Sequence, residues 1–353
     1  MRSATITTAL TSAILSSACL ALDAEPGGEP FDLDCSIPTS AIFNGGPGRD
    51  GIASLSNPEA LTPTRAGISD GQRVLGILVN GEARAYPLTI LWLHEIINDQ
   101  LGGESVLVSY CPLTGSGIAF DRSIRGETRS FGVSGLLYEN NLIMFDRQTE
   151  SLWNQLLLGA QCGAERGTNL QLIPIVETTL GHWRELHPQT TVVTENTGSG
   201  FSYGFYPYGG YAQETNGETL FPGSTYSDER PPKELVLGLS HAGEDAAYPF
   251  GALALLGDLA AINDNVGGRD VVVLWEGQSR TAIAFDRELD GQTLTFSATA
   301  RQVIVDEETS SEWNLSGVAV SGPLTGNRLK QIENGYTLFW FAWSVYHPSS
   351  KVF

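Results

Sequence analysis

The chain has 353 residues, enough for about two domains. It carries 20 Lys and Arg, only three of them Lys, against 40 Asp and Glu, a formal net charge of −20. That sign excludes nucleic acid as a partner and disfavours an anionic membrane face. A hydrophobic share of 41% excludes wholesale disorder, and 40 Gly with 17 Pro exclude a helical bundle.

Residues 1–24 read as a cleavable secretory signal, with one cation at Arg2, an uncharged stretch and small residues before Asp23. Cys19, after Ser16-Ser17-Ala18, resembles a lipoprotein box, so a lipid anchor at Cys19 stands as the alternative to a freely soluble exported protein. No later run approaches ~18 consecutive apolar residues, so no transmembrane helix is expected. The expected location is extracytoplasmic: periplasmic, anchored at the outer membrane as a lipoprotein, or secreted. In such an oxidising compartment Cys35, Cys111 and Cys162 allow one intrachain disulfide at most. Cys35–Cys162 is favoured and leaves Cys111 free; the other two pairings stay open. Residues 25–73 read as an irregular N-terminal arm around the Gly/Pro-rich Phe43–Gly48.

The rest of the chain is organised by an internal repeat. VLGILVNGEARAYPL from Val74 recurs as VLGLSHAGEDAAYPF from Val236, placing Tyr86-Pro87 on Tyr248-Pro249. IINDQLGGESVLV recurs as AINDNVGGRDVVV, AFDRSIRGETRSF as AFDRELDGQTLTF, and FDRQTESLWN as VDEETSSEWN. Both copies end on a Trp-bearing helical segment and His-Pro, His187-Pro188 and His347-Pro348. The expected division is a first unit over 74–195, an aromatic and Gly-rich linker over 196–235, and a second, degenerate unit over 236–353.

Each unit is expected to open on a hairpin, Val74–Tyr86, turned at Asn80-Gly81. A helix over Thr89–Asp99 is then predicted, stopped by Gly102-Gly103. Strands follow at Ser105–Cys111, Ile118–Arg122, Thr128–Val133 and Leu142–Asp146, then a helix near Thr179–His187 and a last strand at Thr191–Thr194. Connections this short favour antiparallel pairing, so the fold class is α+β, mainly antiparallel β, in two duplicated units with one or two short helices each. The linker packs six aromatics between Phe201 and Tyr211. They serve either as an Ω-type loop covering one end of the fold or as a surface that stacks a carbohydrate or another planar ligand through Tyr206 and Tyr208.

Duplication supplies a control within one chain. Asn98-Asp99, Phe120-Asp121-Arg122, Asp146, Trp153 and His187 have counterparts in the second unit, so they read as turn, cap and packing residues. His182, beside Trp183, reads as a helix-surface histidine. Reactive residues facing bland or different ones concentrate in the first unit: Arg84 faces Ala246, His94 faces Leu259, Glu95 faces Ala260, Cys111 faces Glu276, Ser134 faces Thr299 and Arg147 faces Glu307. His94 and Cys111 admit three readings. They form a nucleophile pair in which imidazole activates the thiol, part of a copper or zinc site, or a buried Cys beside a hydrogen-bonded core His. Arg84 completes the candidate catalytic group, and Arg147 and Ser134 are candidate ligand contacts, the arginines toward an anion. No Gly-x-Ser-x-Gly elbow sits on a strand-to-helix turn, and no phosphate-cradling loop or His-Glu-x-x-His zinc helix occurs.

At GGPGRDGIASLSNP, VNGEARAYPL, LHEIIND, VSYCPLTGSGIAFDR and FGVSGLLYENNLIMFDRQTESLWNQL the chain resembles the bacterial domain of unknown function 3179 family. The resemblance covers most of the chain from about Phe43 and implies no particular activity. The family's usual Cys-Pro-Leu-Cys stands here as Cys111-Pro112-Leu113-Thr114, so only its first cysteine is present. Its His-Glu-x-x-Asn-Asp histidine falls on His94, and its arginine before Ala-Tyr-Pro on Arg84. The expected function is therefore an exported protein with a ligand, metal or thiol site in the first repeat, whether catalytic or not. The alternative is a noncatalytic binding module built on 201–211.

Overall fold

The computed structural model describes residues 34–353; the expected signal segment and Cys19 lie outside the described residues. Mainly antiparallel strands and five short α-helices make up the described chain, an α+β fold dominated by β-structure. Among these helices none is long and apolar enough to cross a membrane.

The first unit opens on the hairpin Arg73–Val79 and Glu82–Pro87, reversed at Asn80 and Gly81, both at positive φ. Ile175–Thr179 pairs antiparallel with its first strand, and Thr191–Val193 pairs parallel with its second. A second sheet stacks Ile96–Leu101, Glu104–Cys111 and Ser116–Asp121 in antiparallel order. A third runs through Phe131–Tyr138, Asn141–Asp146, Leu152–Asn154 and Gly159–Cys162. The second unit repeats this plan: Leu235–His241 with Glu244–Pro249, Gly335–Phe339 and the parallel Lys351–Val352; then Leu259–Val266, Arg269–Glu276 and Thr281–Asp286; then Phe296–Ala298, Ile304–Asp306, Glu312–Trp313 and Ala319–Ser321.

Matched residues make matched bonds. Asn98 exchanges two hydrogen bonds with the Phe131 backbone, and Asn263 does the same with Phe296. The indole N–H of Trp153 donates to Asp146 at 2.9 Å, and that of Trp313 to Asp306 at 2.9 Å. Trp183 lies against His187 and donates to Thr190, as Trp343 lies against His347 and donates to Ser350.

The predicted helix Thr89–Asp99 is shorter than expected. It runs Leu88–His94, and Ile96–Leu101 is a strand. The β-branched Ile96 and Ile97 and the Gly102-Gly103 turn favour a hairpin with Glu104–Cys111, whose ladder outweighs the helical period. His94 therefore ends a helix rather than sitting within one.

The two units share their cores reciprocally. Val74, Ala85, Val176, Leu180 and Trp183, on the helix-bearing face of the first hairpin sheet, join one buried cluster with Val272, Leu274, Ile283, Phe285 and Phe296 of the second unit. Val236, Ala247, Leu338 and Trp343 of the second unit are buried with the first unit's core in the same manner. Cys35 and Cys162 form a disulfide that ties the N-terminal arm to the edge of the third sheet, and Cys111 is free and buried.

Candidate functional site

His94 is fully buried and its ring is spoken for on both sides. Nδ1 lies 2.6 Å from the Ala53 carbonyl, which only accepts, so Nδ1 carries the proton. Nε2 is then the acceptor for the Tyr203 hydroxyl at 2.7 Å. The hydroxyls of Thr197 and Ser199 meet the same phenol oxygen. Burial holds the His94 pKa below its usual value, in keeping with a neutral ring.

Cys111 closes its strand and enters the turn Pro112–Gly115. Leu113 N–H, Thr114 N–H and the Thr114 hydroxyl face its sulfur, and the thiol is 3.7 Å from the Asn140 carbonyl. The second unit shows what this turn holds when its occupant is charged. Glu276, at the Cys111 position, accepts from Gln278 N–H at 3.0 Å, Ser279 N–H at 2.7 Å and the Ser279 hydroxyl. The turn is thus a ready cradle for an anion, with Thr114 in the role of Ser279. Burial outweighs the cradle, however, and with the nearby Glu95 carboxyl it pushes the Cys111 thiol up to about 11.

Neither ring nitrogen of His94 faces Cys111, and the two share no hydrogen-bond partner, so the expected Cys/His pair is not assembled. The corresponding copper or zinc site is not assembled either: among the described residues no group of three or more His, Cys, Asp and Glu side chains is disposed to hold a metal ion. Arg84 also lies apart. Its guanidinium donates to Asp99 at 2.8 Å, Glu82 at 2.9 Å and Thr191 at 3.2 Å, and Asp99 further accepts from Tyr86. Arg147 makes a bidentate pair with Asp50 and lies over Phe145, which leaves no fork for an anion. Ser134 donates to the Ile143 carbonyl and accepts from Leu136 N–H across a strand irregularity, a structural bond on both sides.

What does converge near Cys111 is the aromatic linker and Glu95. Tyr206 donates to the Pro112 carbonyl at 3.0 Å and Tyr211 to the Leu113 carbonyl at 2.9 Å, so the linker is bonded to the cysteine's own turn. Tyr208 packs between those two rings, and Tyr206 packs edge-on to Trp92. Burial keeps all three phenols above their ordinary pKa, hence neutral. The hydroxyls of Tyr206 and Tyr211 are spent inward; Phe201 and Phe205 are the exposed rings, at 52% and 60%.

Glu95 is the residue least explained by the fold. It sits at φ 56° and ψ −32°, a conformation that costs a non-glycine residue about 1–3 kcal/mol. Its backbone is pinned at both ends, N–H to the Leu91 carbonyl and C=O to Tyr110 N–H, each 2.8 Å. Its side chain, in a residue 8% exposed, has no hydrogen-bond partner among the described residues, and burial raises its pKa to about 8. The carboxyl borders a chamber of about 60 Å³ whose walls include Ile52, Val133, Leu137, Tyr208 and Phe221. Among the described residues lining it, Glu95 is the only Asp, Glu, His, Lys or Arg. The sequence signals for Glu95 were its mismatch with Ala260 and its place in the His-Glu-x-x-Asn-Asp element; Tyr203 and Tyr211 carried none beyond belonging to an aromatic run.

The fold and this site define a duplicated α+β protein with one covered, carboxyl-bearing chamber in its first unit. Residues 49–350 match the family described as "Protein of unknown function (DUF3179)", and the chain belongs to that family. No curated protein and no solved structure matches it.

Proposed function

We propose that the chain is an extracytoplasmic binding protein whose first unit captures a small organic cation, a primary ammonium on a short apolar body, against Glu95. The observation that carries this reading is the Glu95 carboxyl, in a buried residue and without a hydrogen-bond partner among the described residues, held on unfavourable backbone in a mostly apolar chamber. A buried polar group without a partner costs stability and persists where something else uses it. The chamber holds few heavy atoms and offers no basic group to an anion, and the net charge of −20 concentrates cations around the chain. The secretory-type N-terminus and the Cys35–Cys162 bridge support an oxidising, exported setting. A carbohydrate surface on 201–211 draws less support, because the Tyr206 hydroxyl is bonded to its own chain.

Binding of an ammonium requires the carboxylate, so it releases a proton from Glu95 below about pH 8. Titration calorimetry with n-propylamine is expected to show affinity rising up to tenfold per pH unit toward pH 8 and levelling above it. Propionate and 1-propanol are expected not to bind, and Glu95→Gln is expected to lose at least tenfold in affinity for the amine. Equal binding to Glu95→Gln, or no amine binding to the folded protein, sinks the reading.

A further inference from the structure

The duplication creates two equivalent clefts, and the chain treats them differently. In the first, the linker lies against three walls. Tyr206 and Tyr211 bond the turn Pro112–Leu113; Phe221 exchanges hydrogen bonds with Asn140 at the hairpin between Phe131–Tyr138 and Asn141–Asp146; and Ser227 bonds Trp340 and Ser344 of the helix Trp340–Tyr346. Tyr226 packs on Phe341, and Lys233 closes the run with its ammonium over Tyr211 and Phe341.

The counterparts of those three walls line an open groove of about 760 Å³. The turn is Glu276–Ser279, the hairpin is represented by Gln302–Ile304, and the helix is Leu180–Leu186 with Gly181, His182 and Glu185. The equivalence extends to the backbone. Gly181 N–H bonds the Asp70 carbonyl as Phe341 N–H bonds that of Pro232, and Leu180 bonds Gln72 as Trp340 bonds Glu234. No segment of the described chain plays the linker's part there.

We infer that this groove is a docking site for an irregular, extended segment of another polypeptide carrying Arg or Lys. That a polypeptide fits is argued from the filled cleft, where the chain's own residues 206–227 cover the same three walls. That the occupant is basic follows from charge. Asp70, Glu185, Asp258, Glu276 and Glu312 line the groove; its one arginine, Arg184, is paired with Asp70 at 2.9 Å. Apolar footing comes from Leu315, Trp313 and the exposed Val320. His182 Nε2 is buried in that wall without a hydrogen-bond partner, a site for one further donor or acceptor. The chain's own N-terminal stretch does not suit, since residues 20–33 carry Asp23, Glu25, Glu29 and Asp32 and no base.

Fluorescence anisotropy on the full chain tests this, using short labelled Gly/Ser peptides with three Arg or with three Glu and a shared apolar residue. The Arg peptide is expected to bind at least tenfold more tightly than the Glu peptide, and the pair Glu185→Lys and Asp258→Lys to weaken it at least tenfold. Both residues are exposed, so the variants keep the fold. The control pair Glu104→Lys and Glu288→Lys alters net charge equally on exposed positions away from the groove and is expected to leave binding within about twofold. Failure of the Arg peptide to bind at millimolar concentration, equal binding of both peptides, or equal loss in the control pair overturns the inference. None of these outcomes bears on Glu95, so the two readings fail separately.

Discussion

Glu95 departs from the usual rule for a buried carboxyl, and the departure has a measurable sign. Its pKa rises from 4.5 to about 8 on burial. Between those values the native carboxyl keeps a proton that the unfolded one has released, so stability falls as pH rises from about 4.5 to about 8 and is flat above. The loss is on the order of 3–5 kcal/mol. Urea denaturation is expected to show this decline in the wild type and to lose most of it in Glu95→Gln; an unchanged decline in the variant would place the proton elsewhere. Sequence comparison between the repeats flagged Glu95 but ranked His94 and Cys111 above it. The reason is physical: a histidine opposite a leucine looks costly until Ala53 and Tyr203 satisfy both its nitrogens, and those partners lie 41 and 109 residues away.

At the scale of the element, each hairpin sheet is backed by one tryptophan helix at near-contact distance. A Cβ on Gly76 would lie 2.3 Å from the Trp183 ring, and one on Gly238 would lie 2.2 Å from Trp343. Neither ring is free to move, because each indole N–H is bonded to a hydroxyl and each ring lies against a histidine, Trp343 stacked on His347 and Trp183 tilted against His187. Gly76→Ala and Gly238→Ala are each expected to destabilise by about 1–3 kcal/mol from overpacking, read as a lower denaturation midpoint at unchanged slope. A cost below a few tenths of a kcal/mol would mean that the helices are loosely docked. The hairpins were legible because Asn80-Gly81 and the alternation around it are local signals. The Leu88–His94 boundary was not, because Ile96–Leu101 fits a helical period and is drawn into a strand by pairing with Glu104–Cys111.

Across the whole molecule the two units are interdependent. Val74, Ala85, Leu180 and Trp183 are at most 1% exposed, against residues of the second unit. Residues 34–195 expressed alone would expose that face, and an apolar surface of this kind is expected to drive association or incomplete folding. Size exclusion and near-ultraviolet dichroism check this, and a monomeric, cooperatively folded fragment would refute it. By itself the sequence determined the class, the duplication, the turns and the scaffold pairs such as Asn98 and Asn263 or Trp153 and Trp313, because each depends on local spacing or on self-similarity. Only the tertiary structure decided that Arg84 and Arg147 are spent in ion pairs, that His94 is neutral and satisfied, that the aromatic linker fills one of two like clefts, and that the Glu95 side chain finds no hydrogen-bond partner among the described residues. Those outcomes rest on contacts between residues tens to hundreds of positions apart, and whether a buried polar atom is satisfied is settled by such contacts rather than by its neighbours in the chain.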